Sequence, residues 1–332
     1  MKLFDVAIVG ATGLVGRKVI EVLKKRKFPL RNLKLFASEK SIGKEIKFGN
    51  RIIKVEKLDE KTFHEHEFIF FTAGSEISKK YVPLAIESGV IVIDNSSFYR
   101  MQKDVPLVVP EVNPFALLKH NKIIANPNCS TIQMVVTLKP LHDLFHIKRI
   151  VVTTFQSVSG AGQRGIDQLE NETKKNSNLK KFPHQILHNI IPQVDEFVYG
   201  NNTKEEIKMI DETKKIFNDS KIQISATCTR VPVFYSHSES VNIQFKKEFK
   251  IENIFSILKK NKNITIIDDI KNKLYPMPLY CANKDDIFVG RIRKDESIKN
   301  GLNLWIVADN VRKGAATNAV QIAEEMIKRK LV

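Results

Sequence analysis

The chain has 332 residues, of which 42% are hydrophobic, and this length supports a large core and favours two domains over one. Charged residues interrupt every apolar run before it reaches ~20 residues, so we expect no membrane partner. The three cysteines are widely spaced and match neither a disulfide framework nor a metal site, so we expect a cytoplasmic protein with no bound metal. The net charge of +17 comes largely from lysines spread in short pairs, which favours a solvated surface over a nucleic-acid binder, the alternative interpretation.

The first ~125 residues alternate between strand and helix patterns. The predicted strands are Phe4 to Val9, Leu33 to Phe36, Phe68 to Phe71, Val90 to Ile93, Leu107 to Val109 and Ile123-Ile124. One helical pattern begins at Val15, and a second runs from Ile77 to Glu87. Buried parallel strands with crossover helices give this pattern, which predicts an α/β fold with a Rossmann-type dinucleotide-binding domain.

The first strand runs directly into Gly10-Ala11-Thr12-Gly13-Leu14-Val15-Gly16, which opens the first helix. The glycine spacing is GxxGxxG rather than GxGxxG. Glycines let a backbone approach a pyrophosphate closely, and a helix amino terminus supplies N–H donors to it. We therefore expect cofactor contacts from this segment, namely from Gly10, Thr12, Gly13, Leu14 and Val15. An ordinary glycine turn is the alternative.

The end of the second strand bears on the choice of cofactor. An acidic residue at that point binds the ribose hydroxyls of NAD. Here the sequence continues Ala37-Ser38-Glu39-Lys40-Ser41. Ser38, Lys40 and Ser41 suit the 2′-phosphate of NADP, which we favour, whereas Glu39 leaves NAD open.

The middle of the chain has a different pattern. Arg149 to Phe155 predicts a longer strand, and two further segments alternate in the manner of an antiparallel sheet: Ile222 to Val233 and Val241 to Phe245. We expect helices over Glu205 to Phe217, Ile251 to Lys259 and 315–329, and a strand over Leu302 to Val307. These elements predict an NADP-binding domain, 1–127 with 315–332, and an inserted α+β catalytic and dimerisation domain, 128–314.

Asn126-Pro127-Asn128-Cys129-Ser130-Thr131 is the most informative stretch. Asn-Pro-Asn favours a turn, and the apolar helix that follows places Cys129 at or near a helix amino terminus. Such a position lowers the pKa of a thiol and offers backbone N–H groups to an oxyanion. A cysteine that merely packs at a helix start fits the motif equally well.

Several stretches together resemble the aspartate-semialdehyde dehydrogenase family along essentially the whole chain. They are Gly10 to Gly13, Asp94 to Ser97, Val108 to Pro114, Asn126 to Thr131, Ser159 to Gly162, Arg230 to Val233, His237 to Glu239 and Asp309 to Ala316. The resemblance implies reversible, NADPH-dependent reduction of L-4-aspartyl phosphate to L-aspartate 4-semialdehyde through a cysteine thioester. It also implies a place in lysine, diaminopimelate, threonine, methionine and isoleucine biosynthesis, and a homodimer or a tetramer.

The resemblance further implies roles for individual residues. The nucleophile is Cys129 and the acid–base group is His237. The substrate binders are Gln156, Arg230, Glu205 and Asn128, the phosphate binders are Arg100 and Lys208, and further cofactor contacts are Ser159, Gly160 and Asn310.

The residues themselves support part of this assignment. A lone histidine is more often structural, but His237 comes just past a predicted strand in a chain that also has a candidate cysteine nucleophile at a helix start. An ordinary histidine pKa of about 6.5 suits proton transfer. Glu205, Lys208 and Glu212 fall on one helix face. From the spacing alone an exposed intrahelical ion pair is the preferred interpretation, and the phosphate role of Lys208 comes from the resemblance.

The match has departures and rivals. Lys40 stands where the family often has arginine, and Phe98-Tyr99 precedes Arg100 where the family often has Ala-Phe. One rival is an N-acetyl-glutamyl-phosphate reductase, which needs no site for a free ammonium group. Another is a cofactor-binding regulator with an inactive site.

Overall fold

The computed structural model describes residues 2–175 and 181–332. Its helices are α1 Leu14–Lys25, α2 Ser75–Glu87, α3 Cys129–Phe145, α4 Gln163–Thr173, α5 Lys204–Phe217, α6 Ile251–Lys260, α7 Pro278–Cys281 and α8 Asn318–Lys328. Its first strands are β1 Phe4–Val9, β2 Leu30–Ala37, β3 Glu45–Phe48, β4 Arg51–Lys57, β5 Phe68–Phe71, β6 Ile91–Asp94 and β7 Ile123–Ala125. The others are β8 Ile147–Gln156, β9 Gln223–Arg230, β10 His237–Phe245, β11 Ile264–Ile266, β12 Ile287–Asp295 and β13 Gly301–Ala308.

The chain divides into two compact units. The first comprises Met1–Pro127 with Ala315–Val332, and the second comprises Asn128–Gly314. Within the described ranges, no helix is long and apolar enough to cross a membrane.

The first unit is built on a sheet with the strand order β3-β4-β2-β1-β5-β6-β7. Its strands run parallel except for the β3–β4 pair. The buried faces of α1 and α8 share one core with β1, β2 and β5, and Arg26 pairs with Glu324 at 2.6 Å. The α/β architecture predicted for this part of the chain is confirmed.

One local prediction for this unit is wrong, and one element was missed. Leu107 to Val109 is no strand, because its ladder is limited to one isolated bridge between Leu107 and Ala125. The β3–β4 hairpin was not predicted, because β3 is only four residues long and most residues of the two strands are exposed.

The second unit is built on a sheet with the strand order β11-β12-β13-β10-β8-β9. β10 is antiparallel to β8 and β13, as its alternation predicted. The same prediction is wrong for β9, which lies parallel to β8. Alternating polarity reports burial of one face of a strand, and both strand directions are compatible with that burial.

Helix α3 lies in the core of the second unit, where it contacts α5, α6, β8, β10, β12 and β13. Every residue from Ser130 to Leu138 is buried, which explains the apolar run after the Asn-Pro-Asn turn. Helix α5 begins with a capping box, in which the Thr203 hydroxyl accepts from the N–H of Glu206 and the Glu206 carboxylate accepts from the N–H of Thr203. The helix predicted to begin at residue 315 starts instead as a π-helix, Arg312–Thr317, before α8.

Candidate active site

Cys129 is the first residue of α3, as the sequence predicts. The Asn128 side chain caps the helix and accepts from the N–H groups of Ser130 and Thr131 at 3.0 and 3.3 Å. The N–H of Asn128 itself donates to Glu212 at 2.7 Å. The N–H groups of Asn128, Ser130 and Thr131 therefore already have acceptors, so the expectation that helix-start N–H groups bind an oxyanion is wrong for these three.

Gly314 lies against the cysteine. A Cβ atom on this residue would stand 2.8 Å from the Cβ of Cys129, closer than side chains approach. The turn that delivers Gly314 is held by Asp309, whose carboxylate accepts from the N–H groups of Val311 and Arg312, each at 2.9 Å. The Asp309-to-Gly314 stretch thus keeps side chains away from one side of Cys129.

Three strand ends bring together three predicted site residues. Gln156 ends β8 and stands in register with Arg230 at the end of β9. His237 begins β10, the neighbour of β8 on the other side. All three side chains are at least 95% buried. Residues far apart in sequence therefore meet where three neighbouring strands of the second sheet begin or end.

His237 is held by Ser157. Its Nδ1 accepts from the backbone N–H of Ser157 at 3.0 Å and lies 3.1 Å from the Ser157 hydroxyl. That hydroxyl also lies 3.1 Å from Oδ1 of Asn310, to which it can donate. Ser157 can therefore donate to Nδ1 through its backbone or accept from Nδ1 through its hydroxyl. Both protonation patterns of the ring have a partner.

The other ring nitrogen of His237, Nε2, has no hydrogen-bond partner in the described part of the chain. Burial and the nearby positive charge of Arg230 hold the histidine pKa well below its ordinary value. The imidazole is consequently neutral near pH 7, and Nε2 is the ring nitrogen left for chemistry.

Gly160 keeps the space beside these groups open. A Cβ atom at this position would stand 2.6 Å from Nη1 of Arg230 and 3.1 Å from Nε2 of His237. The Arg230 guanidinium donates to the carbonyl of Ser157 at 2.8 Å and stacks over Phe182, with 5.7 Å between its Cζ atom and the ring centroid. A cation and an imidazole therefore face the same glycine.

Glu205 connects the helix of Cys129 to the strand ends. Its Oε1 accepts from the amides of Asn128 at 2.8 Å and Gln156 at 3.1 Å, and its Oε2 lies 3.1 Å from Nζ of Lys208. Burial opposes ionisation, but Lys208, the two amides and Arg230 together hold the pKa of this carboxyl below its ordinary value. Glu205 is thus a buried, ionised group with partners on three elements.

The predicted common face of Glu205, Lys208 and Glu212 is confirmed, since Glu205 and Glu212 both bind Asn128 while Lys208 binds Glu205. The structure adds a second carboxylate to Lys208, that of Asp195 at 2.8 Å. Nothing in the sequence around Asp195 indicated this contact.

Ser159 and Asn310, the predicted cofactor contacts of the second unit, are buried and bind one another. Oδ1 of Asn310 accepts from the Ser159 hydroxyl and from the N–H of Ser236 at 3.2 and 3.0 Å. Ser157 and Ser236 escaped the sequence analysis because serines in turns carry no distinctive pattern.

The first unit carries the remaining predicted residues. Gly10 has φ +89°, and a Cβ there would lie 2.8 to 2.9 Å from atoms of Thr72 and Ala73, so only glycine fits. Helix α1 begins after Gly13 with no side-chain cap and no acidic residue in its first turn. Leu14 and Val15 form that first turn, so the predicted helix start suits an anionic pyrophosphate.

The segment after β2 is short and exposed at Ser38 and Lys40. Ser41 is buried, and its hydroxyl accepts from that of Thr12 at 3.3 Å, which joins the segment to the glycine turn. Glu39 forms an exposed ion pair with Lys57 at 3.0 Å. The carboxylate that left NAD open at the sequence level therefore has a lysine partner outside the segment.

Arg100 lies on the loop that follows β6. Its Nη2 donates to the carbonyl of Asn95 at 3.0 Å, and the arginine is only 8% exposed. Asp94 shapes this loop, because its carboxylate accepts from the hydroxyls of Ser78 and Ser96, each at 2.6 Å. Burial raises the pKa of Asp94 although these serines and Arg100 oppose the rise.

One buried titratable group was not predicted. Glu239, two residues after His237 on β10, is 0% exposed, and neither carboxyl oxygen has a hydrogen-bond partner among residues 2–175 and 181–332. It stands in register with Thr154 on β8, and the amide of Gln133 lies close to it. Burial raises its pKa well above the ordinary value, and contact with Gln133 only partly offsets the rise.

We expect Glu239→Gln to stabilise the protein, increasingly so as pH rises. In the unfolded chain the Glu239 carboxyl group loses its proton near pH 4.3, whereas in the folded chain it keeps that proton. Above this pH the free energy of unfolding of the wild type therefore falls by up to ~1.4 kcal/mol per pH unit, until the raised pKa of the folded state is reached. The neutral amide removes this slope. Urea unfolding midpoints at about pH 5 and about pH 8 measure it, with the exposed Glu21→Gln as control. Parallel pH dependences in Glu239→Gln and wild type would contradict the prediction.

Known proteins resemble this chain along nearly its whole length. Residues 5–120 match the model "Semialdehyde dehydrogenase, NAD binding domain", and residues 138–313 match "Semialdehyde dehydrogenase, dimerisation domain". The chain is 50% identical to an aspartate-semialdehyde dehydrogenase of Aquifex aeolicus, with 99% of each chain covered. It is 48% identical to aspartate-semialdehyde dehydrogenase 2 of Vibrio cholerae, with 98% of each covered.

Solved structures agree. Aspartate semialdehyde dehydrogenase II of Vibrio cholerae complexed with ASA superposes with a TM-score of 0.96 at 47% identity, with 99% of each chain covered. The enzyme of Candida albicans with NADP superposes with a TM-score of 0.79 at 26% identity, with 100% of each covered.

Proposed function

The chain belongs to the aspartate-semialdehyde dehydrogenase family, and on that premise we propose that it reduces L-4-aspartyl phosphate to L-aspartate 4-semialdehyde with NADPH, reversibly, through a thioester on Cys129. One observation carries the proposal. A half-buried cysteine begins a capped helix in the unit where a neutral histidine lies beside a buried arginine, and Nε2 of that histidine has no hydrogen-bond partner among the described residues.

The Cys129 thiolate attacks the acyl-phosphate carbonyl, and inorganic phosphate leaves as the thioester forms. Bound NADPH supplies the hydride that reduces this thioester. The Nε2–H of His237 is the donor that we assign to the oxyanion. The N–H groups of Ser130 and Thr131 at the start of α3 already donate to the Asn128 side chain. His237 donates a proton to the thiohemiacetal oxyanion and accepts it back as the aldehyde forms and the Cys129 thiolate leaves. The net proton of the reduction is taken up by the departing phosphate. In the oxidative direction His237 is the base.

Arg230 binds the α-carboxylate of the substrate, because its guanidinium is buried, fixed by Phe182 and the Ser157 carbonyl, and open on the side of Gly160. Glu205 is the partner proposed for the substrate ammonium, which distinguishes this substrate from an N-acetylated one. Gln156 and Asn128 hold the Glu205 carboxylate in place while they contact the substrate.

Lys208 and Arg100 bind the phosphate group. Both are cations whose positions are set by hydrogen bonds to neighbouring groups, Lys208 by two carboxylates and Arg100 by a backbone carbonyl. Such charge-assisted bonds suit a dianionic leaving group.

The first unit fits a nicotinamide dinucleotide. Gly10, Thr12, Gly13 and the start of α1 would hold the pyrophosphate, and Ser38, Lys40 and Ser41 the 2′-phosphate of NADP. Glu39 and Lys57 form a largely exposed ion pair, so the choice of NADP rests on Ser38, Lys40 and Ser41 rather than on Glu39. Ser159, Gly160 and Asn310 are the further cofactor contacts that we propose from the second unit.

We place the reaction in the cytoplasmic biosynthesis of lysine, diaminopimelate, threonine, methionine and isoleucine. The match of residues 138–313 to a dimerisation domain supports self-association, and we propose a homodimer, with a tetramer as the larger alternative.

Phosphate-dependent oxidation of aspartate semialdehyde, followed as NADPH formation, tests the function directly. We expect turnover with this aldehyde and none with N-acetyl-glutamate semialdehyde. We further expect kcat/KM to be at least about tenfold higher with NADP than with NAD, and Lys40→Ala to reduce the ratio by removing one charged contact. Salt-sensitive nucleic-acid binding without turnover would favour the regulator, and a higher kcat/KM with NAD would reverse the cofactor assignment.

A further inference from the structure

In the described part of the chain, Lys208 binds the carboxylates of Asp195 and Glu205, and the two differ in their surroundings. Glu205 also binds the amides of Asn128 and Gln156. Asp195 approaches Lys208 more closely, at 2.8 against 3.1 Å, and its side chain is 34% exposed. Burial opposes ionisation of Asp195, but the hydrogen bond and charge of Lys208 hold its pKa below the ordinary value. Asp195 is therefore an anion at the mouth of the proposed phosphate site.

The fold fixes the position of Asp195. Upstream, Ile191 exchanges two backbone hydrogen bonds with Arg230, at 3.0 and 2.8 Å. Downstream, the N–H of Lys204, the first residue of α5, donates to the carbonyl of Glu196 at 2.8 Å. Asp195 itself has φ +70°, a conformation that aspartate and asparagine adopt more readily than most residues. Its Oδ1 accepts from the N–H of Glu196 at 3.0 Å, which turns Oδ2 towards Lys208.

We propose that Asp195 sets the affinity of the enzyme for phosphate by competing with it for the ammonium group of Lys208. This inference rests on the proposed role of Lys208 as a phosphate ligand. A phosphate dianion that binds Lys208 must approach the Asp195 carboxylate, and repulsion between the two anions weakens its binding. When aspartyl phosphate is reduced, the same competition lets Lys208 return to Asp195 and speeds the release of phosphate.

The variant Asp195→Asn tests this directly, because asparagine has the same shape and tolerates the same φ. We expect the KM for inorganic phosphate in the oxidative direction to fall roughly fivefold, the factor that corresponds to ~1 kcal/mol for a partly exposed charge pair. The inhibition constant of phosphate in the reductive direction should fall by a similar factor. The KM for aspartate semialdehyde should not change.

Two further variants separate the possible outcomes. Asp143→Asn removes an exposed charge that pairs with Lys139 on α3, so it matches the change in net charge and should leave the KM for phosphate unchanged. Lys208→Ala should raise that KM, and failure to do so would refute the phosphate role of Lys208 itself. If Lys208→Ala raises it but Asp195→Asn leaves it unchanged, the competition proposed here is refuted alone. A rise in the KM for aspartate semialdehyde in Asp195→Asn would instead make Asp195 a ligand of the substrate ammonium.

Discussion

The Cys129→Ala variant is expected to lose both the reductive and the oxidative reaction, by more than about 10⁴-fold in kcat. Alanine leaves the Asn128 cap intact, since the cap uses the side chain of Asn128 and the N–H groups of Ser130 and Thr131. The variant should therefore fold and bind NADP normally. Initial rates in both directions, with the circular dichroism spectrum and NADP affinity as checks on folding, measure the effect.

Cys281→Ala is the matched control. Cys281 is 1% exposed beside Phe288 and Val307, and burial raises its pKa to about 11. Cys228 is buried too, and burial also raises the pKa of its thiol. Iodoacetamide should accordingly modify Cys129 alone and abolish activity in step with one label per chain. Wild-type turnover in Cys129→Ala, or inactivation that tracks Cys281, would refute the thioester mechanism.

The sequence predicted the start of α3 accurately because the evidence is local. An Asn-Pro-Asn turn before an apolar run places a cap, and the cap places Cys129. The meeting of Gln156, Arg230 and His237 depends instead on which strands are neighbours in the sheet. Periodicity contains no information about strand order, and it even gave the wrong direction for β9. For these residues only the family resemblance carried the prediction.

The residues that sequence reasoning missed share a physical cause. Ser157 binds His237 through a backbone N–H, which every residue type but proline possesses. Asp195 reaches Lys208 from a loop that Ile191 and Arg230 fix by backbone bonds. Glu239 lies in a motif that resembles the family, but its burial, without a hydrogen-bond partner in the part of the chain that the structure describes, follows only from the packing of α3 on β8 and β10. Side-chain chemistry can be read from one sequence, whereas the surroundings of a side chain cannot.

The second large effect is expected for His237→Asn. Loss of a positioned acid–base group lowers kcat by roughly 10²- to 10⁴-fold, while the KM values for phosphate and NADP should change little because other residues bind those ligands. His142→Asn is the control in the same unit, since His142 lies near the carboxyl end of α3, the end opposite Cys129, and stacks on Phe217 with ring centroids 5.1 Å apart. Equal loss of activity in the two variants would indicate a general effect on folding rather than catalysis.

The pH profile separates proton transfer by His237 from a purely structural role. Burial and Arg230 lower its pKa well below 6.5, so the neutral, basic form persists as pH falls through the range in which an ordinary histidine protonates. In the oxidative direction, kcat/KM should therefore hold its value below about pH 6.5 and decline only when the lowered pKa is reached. His237→Asn should abolish that acid limb along with most of the rate.

Substrate binding should raise the pKa of His237. The guanidinium of Arg230 and Nε2 of His237 both face Gly160, and the positive charge of the arginine disfavours imidazolium. A substrate carboxylate on Arg230 cancels that charge, so the pKa of His237 in the complex should be higher than in the free enzyme. The acid limb of kcat, which reports the complex, should then lie at higher pH than that of kcat/KM, which reports the free enzyme. Coincident limbs would mean that Arg230 does not bind the carboxylate, because His237 would then experience the same field with and without substrate.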